Sequence, residues 1–256
     1  MPIVRLSAAS LLAWLLLQPA LAAGKPDATI KTQAIEASVF LNAQVKADPA
    51  LAASCLAEGR KWIDKNAASA TAERKRDPQS FDGAWSFERK YSVRSDIADR
   101  YVSVVRDDYI NTHGAHPNST VETILWDKAE KKRISIRPFF AETADNGPTM
   151  QAMLKTVTAS LTALKTKRGA AETATDEWLG GLKPSLLKIG AVTLAPSTEA
   201  GKSAGLTFHY SPYEVGPYAE GEYVAFVPWE SLKSHLSPEG QRIFGGSRPK
   251  QDAQEN

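Results

Sequence analysis

Residues 206–227 read LTFHYSPYEVGPYAEGEYVAFV, and the hydrophobic period of this stretch decides the fold class. Phe208 and Tyr210 alternate with Thr207 and His209, and after Gly221 the alternation resumes at Tyr223, Ala225 and Val227. A period of two marks strands with one buried face, so the stretch predicts a strand on either side of a long connection. Within the connection, Pro212 and Pro217 fix their own φ, cannot donate to a ladder, and push Ser211 and Gly216 towards extended backbone. Residues 211–221 therefore form a stiffened loop that carries Tyr213 and Tyr218. Such a loop has little entropy left to lose on binding, and tyrosines on it suit recognition. The alternative is a corner folded over its own core, with the hydroxyls finding partners inside.

Further out, Thr149 to Lys165 places Met150, Met153, Leu154, Val157, Leu161 and Leu164 at helical spacing, and 172–182 predicts a second helix stopped by Gly180-Gly181. Asp48-Pro49 supplies an N-cap and an N1 proline for a helix from about Pro49 to Asn66. Residues 67–83 are polar and predict a helix tail followed by a loop. Strands are expected at 35–41, 84–93, 100–109, 121–126 and 186–194, a charged turn at 127–132, and a short strand over 133–140 ending in a Pro138-Phe139-Phe140 corner. Helical turns are expected at 228–236 and 238–244. The fold class is α+β: antiparallel sheets with inserted helices, in two closely joined halves, 24–118 and 119–245, with 246–256 as a disordered tail.

Two segments carry a family resemblance. Tyr210 to Leu232, YSPYEVGPYAEGEYVAFVPWESL, resembles the C-terminal segment of the extracytoplasmic domain shared by the lysozyme-sensing anti-sigma factor RsiV and the peptidoglycan deacetylase PdaC. Asp108 to Asn118, DYINTHGAHPN, is similar to the aromatic, Thr-Gly-Gly-Ala-His-Pro signature of the same family, followed by a like strand and aromatic-ended turn from Trp126 to Phe140. His113 stands where that family usually has Gly, at a turn where positive φ is expected. The resemblance implies a non-catalytic binding domain whose ligand is lysozyme or another cell-wall hydrolase, with inhibition or sensing as the outcome. Its contact residues would be Tyr213, Pro217 and Tyr218, with Tyr210 and His116 behind them. A peptidoglycan or carbohydrate module, with tyrosines stacked on sugar rings, is the alternative.

Residues 1–23 combine Arg5, a short apolar run and an Ala20-Leu21-Ala22 ending, which predicts a secretory signal peptide cleaved near Ala22 or Ala23 and a periplasmic or secreted product. No later segment is apolar enough to span a membrane. The 31 Lys and Arg against 29 Asp and Glu leave a net charge of +2 without the basic stripe that nucleic-acid binding needs. Cys55 is the single cysteine, so no internal disulfide forms, and its place on the 49–66 stripe makes it a small apolar residue.

Three chemical motifs stand in contexts that decide their reading. His113 and His116, near Asp107 and Asp108, lack helical i, i+4 spacing and a third ligand, so no metal site is expected. Gly201-Lys202-Ser203-Ala204-Gly205 matches the G-x-S-x-G elbow, with Glu222 and His235 downstream in triad order. An elbow, however, follows a strand and opens a helix, whereas Ser203 follows a loop and opens a strand, so the expectation is no enzyme. The same Gly-Lys-Ser has Pro196 where a phosphate loop needs its first Gly, and no cofactor is expected.

Overall fold

The computed structural model describes residues 24–79, 81–170 and 172–254, and the expected signal peptide lies outside them. Among the described residues, two sheets and six α-helices make an α+β architecture, as the period of the sequence requires. In chain order the elements are β1 (Ala28–Lys31), β2 (Ile35–Leu41), α1 (Ala43–Lys46), α2 (Pro49–Arg76), β3 (Trp85–Ile97), β4 (Tyr101–Asn111), β5 (Asn118–Asp127) and β6 (Lys132–Ile134). They continue with α3 (Pro148–Lys167), α4 (Glu172–Leu179), β7 (Ala191–Leu194), β8 (Gly205–Tyr210), β9 (Tyr223–Pro228), α5 (Pro238–Ile243) and α6 (Lys250–Gln254).

The first sheet has the order β1-β2-β3-β4-β5-β6 and the second β7-β8-β9. All pairs are antiparallel except β2 with β3, which run parallel because α2 crosses over between them. Asp48 starts α2 by accepting from the amides of Ala50 and Leu51. Beyond the apolar stripe that ends near Asn66, the expected helix tail runs to Arg76, because alanines at 67, 68, 70 and 72 favour helix without adding bulk. Leu51, Cys55, Ile63 and Ala70 pack on Val39, Phe87, Tyr91, Val104 and Trp126. Gly59 permits the close approach, since a Cβ there would lie 2.8 Å from a Val39 methyl.

The opposite face of the first sheet closes a second core. Ile97, Tyr101 and Leu125 meet Met150, Met153, Val157 and Leu161 of α3 and Leu206, Phe208, Ala225 and Val227 of the second sheet. Side-chain hydroxyls join the sheets where β7 would otherwise present an open edge. Ser95 donates to the Leu194 carbonyl (2.7 Å), Leu194 N–H to Ser103 Oγ (3.0 Å) and Val192 N–H to Thr123 Oγ1 (3.0 Å). Each satisfies a main-chain group that could not be left bare in a buried seam.

Three expected boundaries move. The halves do not part at 118, because β5 and β6 extend the first sheet to Ile134 through ten-residue pairing of β4 with β5. The tail expected over 246–256 is structured as far as it is described. Residues 250–254 form α6, and Asp252 is buried and ion-paired with Arg94 and Arg248, so local charge complementarity offsets the weak apolar content. Residues 186–190 turn rather than extend, which shortens β7 to four residues.

Candidate functional site

The loop between β8 and β9 is built from its anchors outward. Gly216 sits where a Cβ would come within 2.5 Å of Glu220 Oε2 and 2.8 Å of Lys165 Nζ, so a larger residue would have to displace the ion pair that anchors the loop. Lys165, 1% exposed, donates to Glu220 Oε2 at 2.6 Å, and the Tyr223 hydroxyl donates to the same oxygen at 2.5 Å. Burial pushes the Glu220 carboxyl up, but these two donors outweigh it and hold the group below the ordinary range. Burial and the Glu220 carboxylate together push the Tyr223 phenol up to about 12. Arg168 donates to the carbonyls of Glu220 (2.7 Å) and Glu222 (3.0 Å) and lies over the Tyr223 ring. The end of α3 thus grips the second half of the loop. In the first half, Ser211 N–H donates to Glu214 and Tyr213 N–H to the Gly216 carbonyl.

On this frame stands an aromatic cluster. Tyr213 adopts φ 74°, a left-handed conformation costly for a large side chain, and is 51% exposed. Tyr218 stacks on His116 with centroids 3.8 Å apart and planes at 22°, and Tyr213 lies 5.7 Å from Tyr218. The Tyr218 hydroxyl donates to the Pro117 carbonyl at 2.7 Å, which ties the loop to the β4–β5 connection. His116 Nδ1 is 2.9 Å from the same carbonyl and Nε2 is 3.2 Å from the Tyr213 hydroxyl. A carbonyl only accepts, so Nδ1 is assigned the proton and Nε2 accepts from Tyr213.

Of the five residues singled out in the sequence, Tyr213, Tyr218 and His116 converge, although 97 residues separate His116 from Tyr213. Pro217 is exposed beside them and starts the 3-10 turn Tyr218–Glu220. Tyr210 does not join them. It is buried, and donates to the Ile189 carbonyl at 2.5 Å, because strand alternation turns it inward beside Phe208; burial raises its phenol. His113 takes positive φ (60°) as a Gly would, and its ring turns away to the Ala84 carbonyl at 3.0 Å. Among the described residues no three His, Cys, Asp or Glu side chains converge as metal ligands.

Ser203 is 0% exposed. Its hydroxyl bridges the carbonyls of Ala195 (2.9 Å) and Gly205 (2.8 Å), and no histidine is among its hydrogen-bond partners. That arrangement closes a turn and offers no nucleophile to a substrate. Cys55 is likewise buried, and burial pushes its thiol up to about 12.

Lys165, Arg168 and Glu220 were not singled out in the sequence. Lys165 continues the stripe Met150, Met153, Val157, Leu161 at the next i+4 position, and a lysine on a core stripe is itself a signal for a buried partner.

An α+β protein of two hydroxyl-joined sheets, carrying an exposed aromatic cluster on a braced loop, is the class defined by this fold and site. Residues 153–230, which include that whole loop and its α3 anchors, match the model of a family described as a protein of unknown function, DUF3298. A solved DUF3298 family protein from Pseudomonas aeruginosa shares the fold, at TM-score 0.54 and 18% identity over 84% of this chain and 90% of its own. A DUF3298 member from Bacteroides fragilis aligns at TM-score 0.45 and 13% identity over 73% of this chain and 68% of its own. Among curated proteins none matches the sequence.

Proposed function

We propose that this protein is a non-catalytic binding module, acting outside the cytoplasm, that presents Tyr213, Tyr218 and His116 to a protein ligand. The observation that carries the proposal is the setting of Tyr213, held at positive φ and half exposed on a loop braced by Lys165 and Arg168. Large apolar groups kept outside at a conformational cost mark interaction surfaces, and rigid tyrosines lose little entropy on binding. The ligand class comes from the resemblance to the RsiV and PdaC domain, and is a lysozyme or another cell-wall hydrolase, which the module inhibits or senses. Binding of residues 24–256 to a panel of lysozymes and endogenous lytic enzymes, with their activity read in parallel, tests this. Submicromolar affinity, about −8 kcal/mol or stronger, is expected for at least one member, and no binding across the panel would contradict it.

A second reading has its own support. The rings of Tyr213 and Tyr218, 5.7 Å apart and tilted by 33°, form an aromatic surface against which a sugar ring could pack. Sedimentation with purified cell wall separates the two, since peptidoglycan would carry the module down without any hydrolase present.

A further inference from the structure

Beside the aromatic cluster, a cleft of about 340 Å3 opens between the two sheets, lined by Arg94, Val105, Asp107, Val121, His209, Glu222 and Val224. Asp107 on β4 and Glu222, the residue before β9, contribute their carboxylates without an ion-pair partner among the described residues. The other charges nearby are already engaged. Lys90 of β3 bonds Glu88, Arg94 of β3 pairs with Asp252 of α6, and Asp108 of β4 turns to the opposite face and pairs with Arg89. His209 of β8, 6% exposed, accepts or donates through Nε2 at Thr193, while its Nδ1 has no hydrogen-bond partner among the described residues. Burial, then Glu222, then Asp108 push the Asp107 carboxyl up to about 6, with Lys90 opposing. Burial holds His209 down to about 4, so the ring adds no cation to balance the carboxylates.

The cleft meets the aromatic cluster at Glu222. A neighbouring groove of about 520 Å3 runs from Glu222 along Gly221, Glu220 and Ala219 to Tyr218 and Ser119. Ser119 pairs in register with Tyr109, another of the exposed large hydrophobic residues, so aromatic rings and unpaired carboxylates share one surface. A cation placed there would meet the half-buried Asp107 carboxylate and the exposed Glu222 carboxylate, with Tyr218 further along the adjoining groove, and the partial burial of Asp107 strengthens the contact over that of a fully exposed pair.

We propose that this surface recognises a basic protein segment, and that a lysine or arginine side chain of the partner enters the cleft between Asp107 and Glu222 while its neighbours pack on Tyr218 and Tyr213. The proposal rests on the binding-module reading and adds the chemistry of the partner. A bound cation favours the ionised form of Asp107 and lowers its titration point below that of the free protein. Binding is therefore complete above pH 6 and weakens as pH falls through that value.

The test uses residues 24–256 and a capped nona-arginine peptide at low salt, with Asp107→Asn/Glu222→Gln as the test variant and Glu130→Gln, on the remote β5–β6 turn, as control. The double variant is expected to bind about tenfold more weakly, the control within about twofold of wild type, and wild-type affinity to drop between pH 7 and pH 5. Equal binding by wild type and double variant, or no peptide binding by wild type, overturns the proposal. A parallel titration with a basic lysozyme keeps the two ideas apart. Peptide binding without lysozyme binding overturns the hydrolase reading alone, whereas lysozyme binding unaffected by the double variant overturns the cleft alone.

Discussion

Four tyrosines within fourteen residues meet opposite fates on the paired strands β8 and β9 and on the loop that joins them. Tyr210 and Tyr223 lie on the strands and are buried, each with its hydroxyl satisfied inside, on the Ile189 carbonyl and on Glu220. Tyr213 and Tyr218 lie on the loop, and their hydroxyls bond to the other loop of the same surface, at His116 and Pro117. Residue type does not separate the two pairs. The backbone does, because strand alternation sends Tyr210 and Tyr223 to the core while Pro212, Pro217 and the glycines break the alternation between them.

Deleting the ring on the strand should have the largest effect. Tyr210→Ala removes a fully buried aromatic and is expected to cost roughly 3–5 kcal/mol in denaturant unfolding, whereas Tyr213→Ala should change stability by about 0.5 kcal/mol or less. Comparable losses from both would erase the contrast between strand and loop.

Next comes the brace that connects them. Lys165→Met leaves the Glu220 carboxylate without its cation and should cost roughly 2–3 kcal/mol, with part regained in Lys165→Met/Glu220→Gln. If the single variant is as stable as wild type, Lys165 does not hold the loop. The same variant should disturb the His116 ring-proton shift that stacking on Tyr218 at 3.8 Å produces, a readout independent of any ligand.

That brace also shows what was legible in the sequence. The flanking strands and the stiff loop followed from local period and two prolines, and the proximity of Tyr213, Tyr218 and His116 agrees with the two segments that carry the resemblance. Tyr210, grouped with the expected contact residues, is instead buried, because its place in the strand alternation turns it inward. The tail of α2 was expected, but not its end at Arg76, because alanine contributes propensity without a visible apolar stripe. The parallel β2–β3 pair, the hydroxyl seam from Ser95, Ser103 and Thr123, and the Lys165–Glu220 pair join residues far apart in the chain, and no local pattern encodes them.

A smaller effect is expected at Asp107, in the middle of β4, where the strand lines the cleft. Asp107 titrates near 6 in the folded protein, above its ordinary value, so its ionised form opposes folding above that pH and the penalty disappears as pH falls below about 4. Asp107→Asn should therefore raise stability by roughly 1–2 kcal/mol at pH 7.5 and leave it unchanged at pH 4. A gain of equal size at both values would trace the effect to packing and not to charge.

The smallest change in stability is expected where the backbone is strained. Tyr213→Gly relieves the cost of φ 74° and should be neutral or stabilising by up to about 1 kcal/mol, although it removes a ring from the surface. Clear destabilisation would mean that the Tyr213 ring supports the fold.

The most direct test of a recognition surface held apart from the core is to titrate a lysozyme panel against wild type, Tyr213→Ala and Tyr210→Phe, with thermal unfolding of each protein measured alongside. We predict that Tyr213→Ala weakens binding at least about tenfold, or roughly 1.4 kcal/mol, at unchanged Tm, and that Tyr210→Phe lowers Tm while binding as wild type does. Wild-type affinity retained by Tyr213→Ala, or binding lost only in step with Tm, would contradict that separation.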